Sequence, residues 1–445
     1  MRVKVSTGLG RLSWTVAGFG AFLGIKLASN IVLAHLLSPS VFGVVVVVTT
    51  IRFGIELLAD AGIEQNIVRH EKGLDPRFFN TAWTLQMIRG ALLSVVFLAL
   101  SPWLAGFYGI DVGVFLIISF APLLNSLHST SVFVLSKGLD TKGRSLFELK
   151  ADILSFVITV TLVVVWPTIW AVLVASLLSI TARSILSYRL PHPKHSLIID
   201  RKCTTDIIRF GKWIAISSLL LYAGTSLDRM MLGRLAPLEI LGIYGLAKII
   251  ADLPPFLASR LSHQIAFPSI AAARTAGQMS HAAVARPRGH FLLVASALMA
   301  TGISWADVAV RLMYDSRYYQ AAWMLSLLLI GSWFAIISSL GEALLLGVGR
   351  PAFMSLANVV RVGVLGVGLP LGYMSLGMPG AILAFTAGEV ARYLVVTLGQ
   401  QRFGHSFWKQ DVVATVVGAS LLTVWVVVRL MTDLGVPWSG LTFGH

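Results

Sequence analysis

The sequence predicts an all-α integral membrane protein: two six-helix lobes related as a parallel repeat, and one additional C-terminal helix. Three observations predict it. The 445 residues are 56% hydrophobic and 12% charged, where a soluble domain is about a quarter charged, and mean hydropathy is +0.82. Apolar stretches of about 20 residues, the length that crosses a bilayer core, recur along the whole chain. Basic residues collect in every second connection between them.

Thirteen stretches qualify: 12–37, 41–60, 80–105, 111–137, 146–166, 168–189, 207–233, 239–267, 288–312, 320–348, 352–373, 377–399 and 410–431. Pro39, Pro102, Pro167, Pro237, Pro287, Pro351 and Pro379 fall at or near their ends, where a residue lacking a backbone N–H belongs. The first stretch is too long for the apolar region of a secretory signal and carries no cleavage site, so it reads as the first spanning helix.

With the N-terminus in the cytoplasm, the inside segments carry Arg2, Lys4 and Arg11, then Arg69, Lys72 and Arg77, then Lys137, Lys142 and Arg144, then Arg189, Lys194, Arg201 and Lys202, then Arg274, Arg286 and Arg288, and finally Arg350, Arg402 and Lys409. The outside segments carry only Arg234, Arg311 and Arg317. That asymmetry sets orientation and accounts for most of the net charge of +15, which otherwise invites a nucleic-acid reading. The longest polar stretches, 190–206 and 272–288, both lie inside.

Residues 33–44 align with 232–243 at a constant offset of 199: Leu33, Leu36 and Gly43 match Leu232, Leu235 and Gly242, and Gln65 matches Gln264. Both segments sit at the turn between the first and second helix of a six-helix set. Units of even helix number share orientation, the parallel plan of transporters with a site between their halves. The expected organisation is an N-terminal lobe over 1–195, a second lobe over 196–405, and an additional transmembrane segment over 406–445.

Composition also excludes chemistry. A single cysteine, Cys203, rules out an internal disulfide or a multi-cysteine metal site. The ten histidines show no paired ligand spacing and no Walker loop is present. No metal and no cofactor is expected.

Charges within spans are costly and face the bundle interior or water. Arg52 and Glu56, and Lys248 and Asp252, stand at i,i+4 and share helix faces; each pair either neutralises itself or serves a site. Asp228 beside Arg229 points away from it and needs another partner or water. Glu342 and Arg392 lie near inner span ends, where long side chains also snorkel. Lys26, Arg89 and Arg361 have no opposite charge at helical spacing, so each requires an acid from another helix or an anionic ligand. Arginine suits phosphate oxygens in bidentate fashion and lysine as a point charge. The expected substrate contacts are Lys26, Arg52, Arg89 and Arg361. The acids open to ion coupling are Asp228, Asp252, Glu342 and Glu389.

Five short stretches carry a resemblance. Residues 27–43 (LASNIVLAHLLSPSVFG), 60–69 (DAGIEQNIVR) and 80–86 (NTAWTLQ) resemble the first helices of polysaccharide biosynthesis proteins. Residues 228–234 (DRMMLGR) followed by 241–244 (LGIY) are similar to the start of the second half in that family. These are the Wzx-type oligosaccharide flippases of the multidrug/oligosaccharidyl-lipid/polysaccharide exporter superfamily, and the resemblance covers about residues 10–400. It implies two lobes around a central cavity open alternately to each side. It implies movement of an undecaprenyl-pyrophosphate-linked oligosaccharide to the outer leaflet of a bacterial inner membrane, with possible proton or sodium coupling and a polysaccharide polymerase or export machinery nearby. The thirteenth span departs from a twelve-helix core.

Three alternatives stand beside this reading. A multidrug or toxin exporter of the same superfamily would want acidic and aromatic lining, whereas basic residues lead here. A membrane glycosyltransferase, polymerase or ligase needs acids or bases in a water-accessible loop, and the outside loops offer Asp111, Asp315 and little else. A scaffold without transport leaves the intramembrane charges unexplained. The chain is therefore not expected to be an enzyme, and lipid-linked oligosaccharide and membrane lipid, not nucleic acid, are its expected partners.

Overall fold

The computed structural model describes residues 8–58, 62–138, 140–191, 195–267, 269–270, 281–404 and 406–438. Arg2, Lys4, Lys194 and Arg274 of the charge pattern, and Asp60 and Ala61 of the family motif, lie outside the described residues. All thirteen expected spans fall on helix. The elements are α1 (Gly8–Leu36), α2 (Pro39–Leu58), α3 (Ile63–Arg69), α4 (Pro76–Tyr108), α5 (Val112–Ile118), α6 (Ala121–Ser126), α7 (Ser131–Lys137), α8 (Thr141–Val165) and α9 (Ile169–Ser187). They continue with α10 (Arg201–Leu235), α11 (Leu238–Ala251), α12 (Leu253–Leu261), α13 (His281–Ser304), α14 (Ala306–Met313), α15 (Ala321–Gly347), α16 (Ala352–Leu376), α17 (Met378–Arg402) and α18 (Trp408–Met431).

Among the described residues, eight helices are long and apolar enough to cross a membrane, and up to ten if each bent pair counts as one crossing. The bent pairs are α5–α6 with α7, at 53°, and α13 with α14, at 64°. The expected span on α8 falls short because its first half carries Lys142, Arg144, Glu148, Lys150 and Asp152. The 35 residues of α10, at ~1.5 Å each, far exceed a bilayer core of ~30 Å, so its polar start stands clear of it. Because α10 begins at Arg201, the expected loop 190–206 is shorter than the sequence indicated.

By internal contacts the chain forms two compact units, Met1–Tyr222 and Ala223–His445. The repeat reappears in each as the same joint. α1 ends at Leu36 and α2 begins at Pro39; α10 ends at Leu235 and α11 begins at Leu238, the same offset of 199. The Leu37 amide donates to the Leu33 carbonyl at 2.8 Å, as Ala236 does to Leu232 at 2.8 Å. Phe42 donates to Ser38, and Leu241 to Pro237, at 3.0 Å each. Leu33, Phe42, Leu232 and Leu241 are all buried, so the matched positions are the packing side of the joint.

Several helix starts are written locally. Asp75 accepts from the Arg77 amide with Pro76 in the first turn of α4, and Asp140 accepts from the Gly143 amide at α8, the standard way to satisfy the first free N–H groups. Asp200 does the same for Cys203 at α10. The α16–α17 hairpin is closed by backbone contact: a side chain on Gly380 would collide with the Gly372 carbonyl, and the turn passes through Gly377 at φ 64°.

The thirteenth span is a full helix clamped at both ends. Arg288 near the start of α13 pairs with Asp411 near the start of α18 at 2.5 Å. Asp307, just past the end of α13, pairs with Arg429 near the end of α18 through two bonds of 2.9 and 2.7 Å. The two helices therefore run parallel. Arg429 is fully buried and donates also to the carbonyls of Ser304, Leu434 and Gly435. Arg288 was expected among the topology-setting loop cations; the Asp411 carboxylate draws it into the interior instead.

Replacing Arg429 with Leu strands a buried Asp307 carboxylate, and breaking such a pair costs about 3–5 kcal/mol. The expected result is a clearly lowered Tm of the purified protein in detergent, with most of the loss recovered when Asp307→Leu is added.

Candidate functional site

Unit 1 holds a half-open, charge-lined cavity of about 330 Å³ among its helices. α2 supplies Arg52 and Glu56, α3 Glu64, α6 Asn125, the break between α6 and α7 His128, α7 Val132 and Phe133, α8 Arg144, Phe147 and Glu148, and α9 Ile180 and Arg183. The break that opens it is sustained by α4, where the Gln86 amide donates to the Ser126 and His128 carbonyls at 2.7 and 3.0 Å. Carbonyls freed by a broken helix at membrane depth need such a partner. Gly54 sets the seat of α2: any side chain there would meet the Tyr222 ring, whose hydroxyl donates to the Thr50 carbonyl at 2.6 Å.

The charges of the cavity alternate. Arg52 Nε stands 3.8 Å from Glu56 Oε1, and neither atom has a hydrogen-bond partner among the described residues. Asn125 donates to the other Glu56 oxygen at 3.4 Å. Arg144 bonds Glu64 and Ser136 and lies 3.8 Å from Glu148. Arg183 bonds Glu148 at 2.7 Å and approaches Asp152 at 3.9 Å. Three guanidinium groups thus face three glutamates across the lining. Two rings complete it: Phe133, edge-on to His128, and Phe147, beneath Arg183 at 5.8 Å. Among the described residues, no three His, Cys, Asp or Glu side chains gather as a metal site requires.

Unit 2 holds two charge clusters, the first of them buried. Glu342 of α15 receives two bonds from Arg392 of α17, at 2.9 and 2.8 Å. Arg392 reaches Glu389 at 3.4 Å, and Glu389 takes Arg361 of α16 at 2.7 Å. This chain of alternating sign ties three helices together. In the second cluster Asp252 pairs with Lys248 and, at 2.9 Å, with Arg229. Asp228 accepts from the Tyr244 hydroxyl at 2.6 Å while its Oδ1 is buried with no hydrogen-bond partner among the described residues. The Lys248 ammonium lies over the Phe385 ring at 4.2 Å.

The expected contacts are thus divided. Arg52 lines the unit 1 cavity, and Arg89 on α4 lies within electrostatic reach of its Glu56 and His128. Lys26 is exposed on α1, its ammonium 5.8 Å over Phe22, and is not among the cavity's lining residues. Arg361 finds its acid on another helix, Glu389. Of the expected coupling acids, Asp252, Glu342 and Glu389 hold basic partners. Glu342 and Arg392 do not snorkel: both are largely buried and bind each other. Arg144, expected in a cytoplasmic loop, belongs to the first turn of α8 and to the cavity. Glu64, Asn125, His128, Glu148 and Arg183 were not expected at a site. Arg144 with Glu148 at i,i+4, and Arg183 within an apolar span, were the available signals.

The fold is that of the superfamily containing the multidrug resistance MATE transporters and the flippase MurJ. The chain superposes on lipid II flippase MurJ in its inward closed conformation with a TM-score of 0.75 and 12% identity, over 95% of this chain and 93% of that one. It superposes on an inward-facing MATE family transporter of the MOP superfamily with a TM-score of 0.62 and 16% identity, over 86% of this chain and 94% of that one. Within that fold the chain belongs to the polysaccharide biosynthesis protein family, whose model matches residues 32–323. It is 24% identical over 299 residues to the teichuronic acid biosynthesis protein TuaB of Bacillus subtilis (strain 168), covering 66% of this chain and 62% of that protein. It is 23% identical over 284 residues to the lipopolysaccharide biosynthesis protein WzxC of Escherichia coli (strain K12), covering 61% of this chain and 55% of that protein. The chain thus matches little more than half of the length of these curated relatives.

Thiol labelling tests whether water enters the cavity. Cys203, in the first turn of α10 and clear of the bilayer, has its thiol pushed up to about 11 by burial and by the Asp200 carboxylate that accepts from it. Because the thiolate is the reactive form, the protein is expected to label slowly near pH 7 and faster as pH rises toward 11. In a Cys203→Ser background, Asn125→Cys is expected to react with a small charged methanethiosulfonate and Leu328→Cys, fully buried, to resist it. Equal reactivity of the two would show the cavity to be closed to water.

Proposed function

We propose that the chain is a flippase that carries a polyprenyl-pyrophosphate-linked oligosaccharide from the cytoplasmic to the outer leaflet of a bacterial inner membrane, its N-terminus in the cytoplasm. The observation that carries this reading is the polar, charge-lined cavity set inside one membrane unit of a chain of this family. A lipid-linked sugar has one part that must leave water and one that must keep polar partners throughout the crossing. A cavity inside a helical unit supplies those partners while the polyprenyl tail stays in the bilayer. Lobes over 1–195 and 196–405 then rock about the bound headgroup, exposing it to each side in turn.

Within this reading Arg52 and Arg89 serve the headgroup at the unit 1 cavity, and the exposed Lys26 meets the diphosphate as a point charge. Arg361 acts through Glu389, holding α16 to α17. Among the acids, Asp228 is the best placed to take up a coupling ion, since Asp252, Glu342 and Glu389 would each leave a buried base behind. A polysaccharide polymerase or export complex would receive the product. The relatives' roles in teichuronic acid and lipopolysaccharide biosynthesis support this assignment over the export of organic cations.

Reconstitution in liposomes tests it. The wild-type protein is expected to move a polyprenyl-diphosphate-linked oligosaccharide to the opposite leaflet, and Arg52→Gln to move it at least tenfold more slowly while remaining monodisperse. A wild type that moves no such lipid but expels an organic cation would replace the reading with drug export.

A further inference from the structure

The lining of the unit 1 cavity is balanced in charge, and that balance bears on which part of a headgroup it can hold. Arg52, Arg144 and Arg183 are met by Glu56, Glu64 and Glu148. A diphosphate, an acceptor with several negative oxygens, would find three carboxylates turned toward it, and like charges in a poorly solvated site repel strongly. The ion pairs are also partly open. Arg52 Nε and Glu56 Oε1 stand 3.8 Å apart with neither hydrogen-bonded among the described residues. Arg144 Nε and Glu148 Oε1 stand 3.8 Å apart as well.

Between Arg144 and Glu148, whose side chains are about a third exposed, a hydroxyl group can accept from the guanidinium and donate to the carboxylate. It is the one common polar group that does both at a single atom. An acceptor-only phosphate oxygen satisfies the arginine and opposes the glutamate. The walls point the same way: Phe133 and Phe147 add apolar surface to the lining beside Asn125 and His128. A pyranose has that division, with C–H groups on its faces and hydroxyls around its edge. At the roughly 30 Å³ that a water takes in the liquid, a cavity of about 330 Å³ displaces on the order of eleven waters, space for one pyranose ring with its substituents.

We infer that the unit 1 cavity is a saccharide subsite, taking a sugar ring of the lipid-linked substrate edge-on to Arg52–Glu56 and Arg144–Glu148 and face-on to the phenylalanines, with the diphosphate outside it. This rests on the flippase reading and names the part of the substrate that the cavity reads.

The test compares two lipids in the same liposomes: polyprenyl diphosphate bearing one N-acetylhexosamine, and polyprenyl diphosphate alone. The readout is the ratio of their flipping rates. The wild type is expected to favour the sugar-bearing lipid by at least tenfold. Glu56→Gln with Glu148→Gln, which keeps side-chain size, is expected to bring that ratio close to one, and Phe147→Leu to lower it several-fold. Saturation-transfer NMR with free N-acetylhexosamine is expected to give a transfer signal with the wild type and none with the double variant. A ratio unchanged in variants that still fold, with the transfer signal intact in the double variant, would overturn the subsite and leave the flippase. A wild type that moves both lipids equally would also overturn it. A wild type that moves neither lipid would sink the flippase reading and the subsite with it.

Discussion

Lipid offers no partner to an ion, and that constraint organises this protein. A charge carried into the bilayer must be answered by a partner group or a polar cavity, because bulk water and counterions are absent there. The answers knit the fold. Arg361, Glu389, Arg392 and Glu342 join α15, α16 and α17 in one alternating chain; Arg229, Asp252 and Lys248 join α10, α11 and the turn after it. A buried ion pair adds little net stability over apolar packing, yet its loss by halves is severe. Such pairs therefore act more as registers that exclude wrong packings than as glue.

In unit 1 the same constraint is met differently. The charges there surround open space and are not packed shut, and several pairs stop short of hydrogen-bond distance. A membrane protein that needed those residues only for assembly could close the gaps or dispense with the charges. Keeping six ionisable groups around a cavity is costly unless something polar enters it, and the broken helix α5–α7, held by Gln86, keeps that space available.

Much of the fold was legible in the sequence because hydropathy and proline placement report directly on the lipid solvent. Eight of the expected spans, ten with the bent pairs, and the repeat joint at an offset of 199 could be read this way. The candidate site was legible in part. Arg52 and Glu56 showed themselves by their spacing, but Glu64 and Arg144 sit close to span ends, where the rule that positive residues face the cytoplasm explains a charge too readily. Arg288 and Lys137 were hidden by the same rule: one is buried against Asp411, and the other donates to the Ile67 and His70 carbonyls. The partner of Arg361 was beyond reach, since no spacing along one helix identifies an acid across a helix pair.

The clamp between α13 and α18 sets a schedule for making the protein. Arg288 and Asp307 enter the membrane with α13, but their partners Asp411 and Arg429 lie 123 and 122 residues further along the chain. While the ribosome adds that stretch, both charges on the nascent helix wait unanswered near the two surfaces of the bilayer. The insertion machinery, or the neighbouring helices already released, must shelter them until α18 arrives. Unit 2 therefore reaches its final packing only once α18 has been made, and a ribosome that stops short of α18 leaves a helix with an orphan charge at each end, a form that quality-control proteases can recognise.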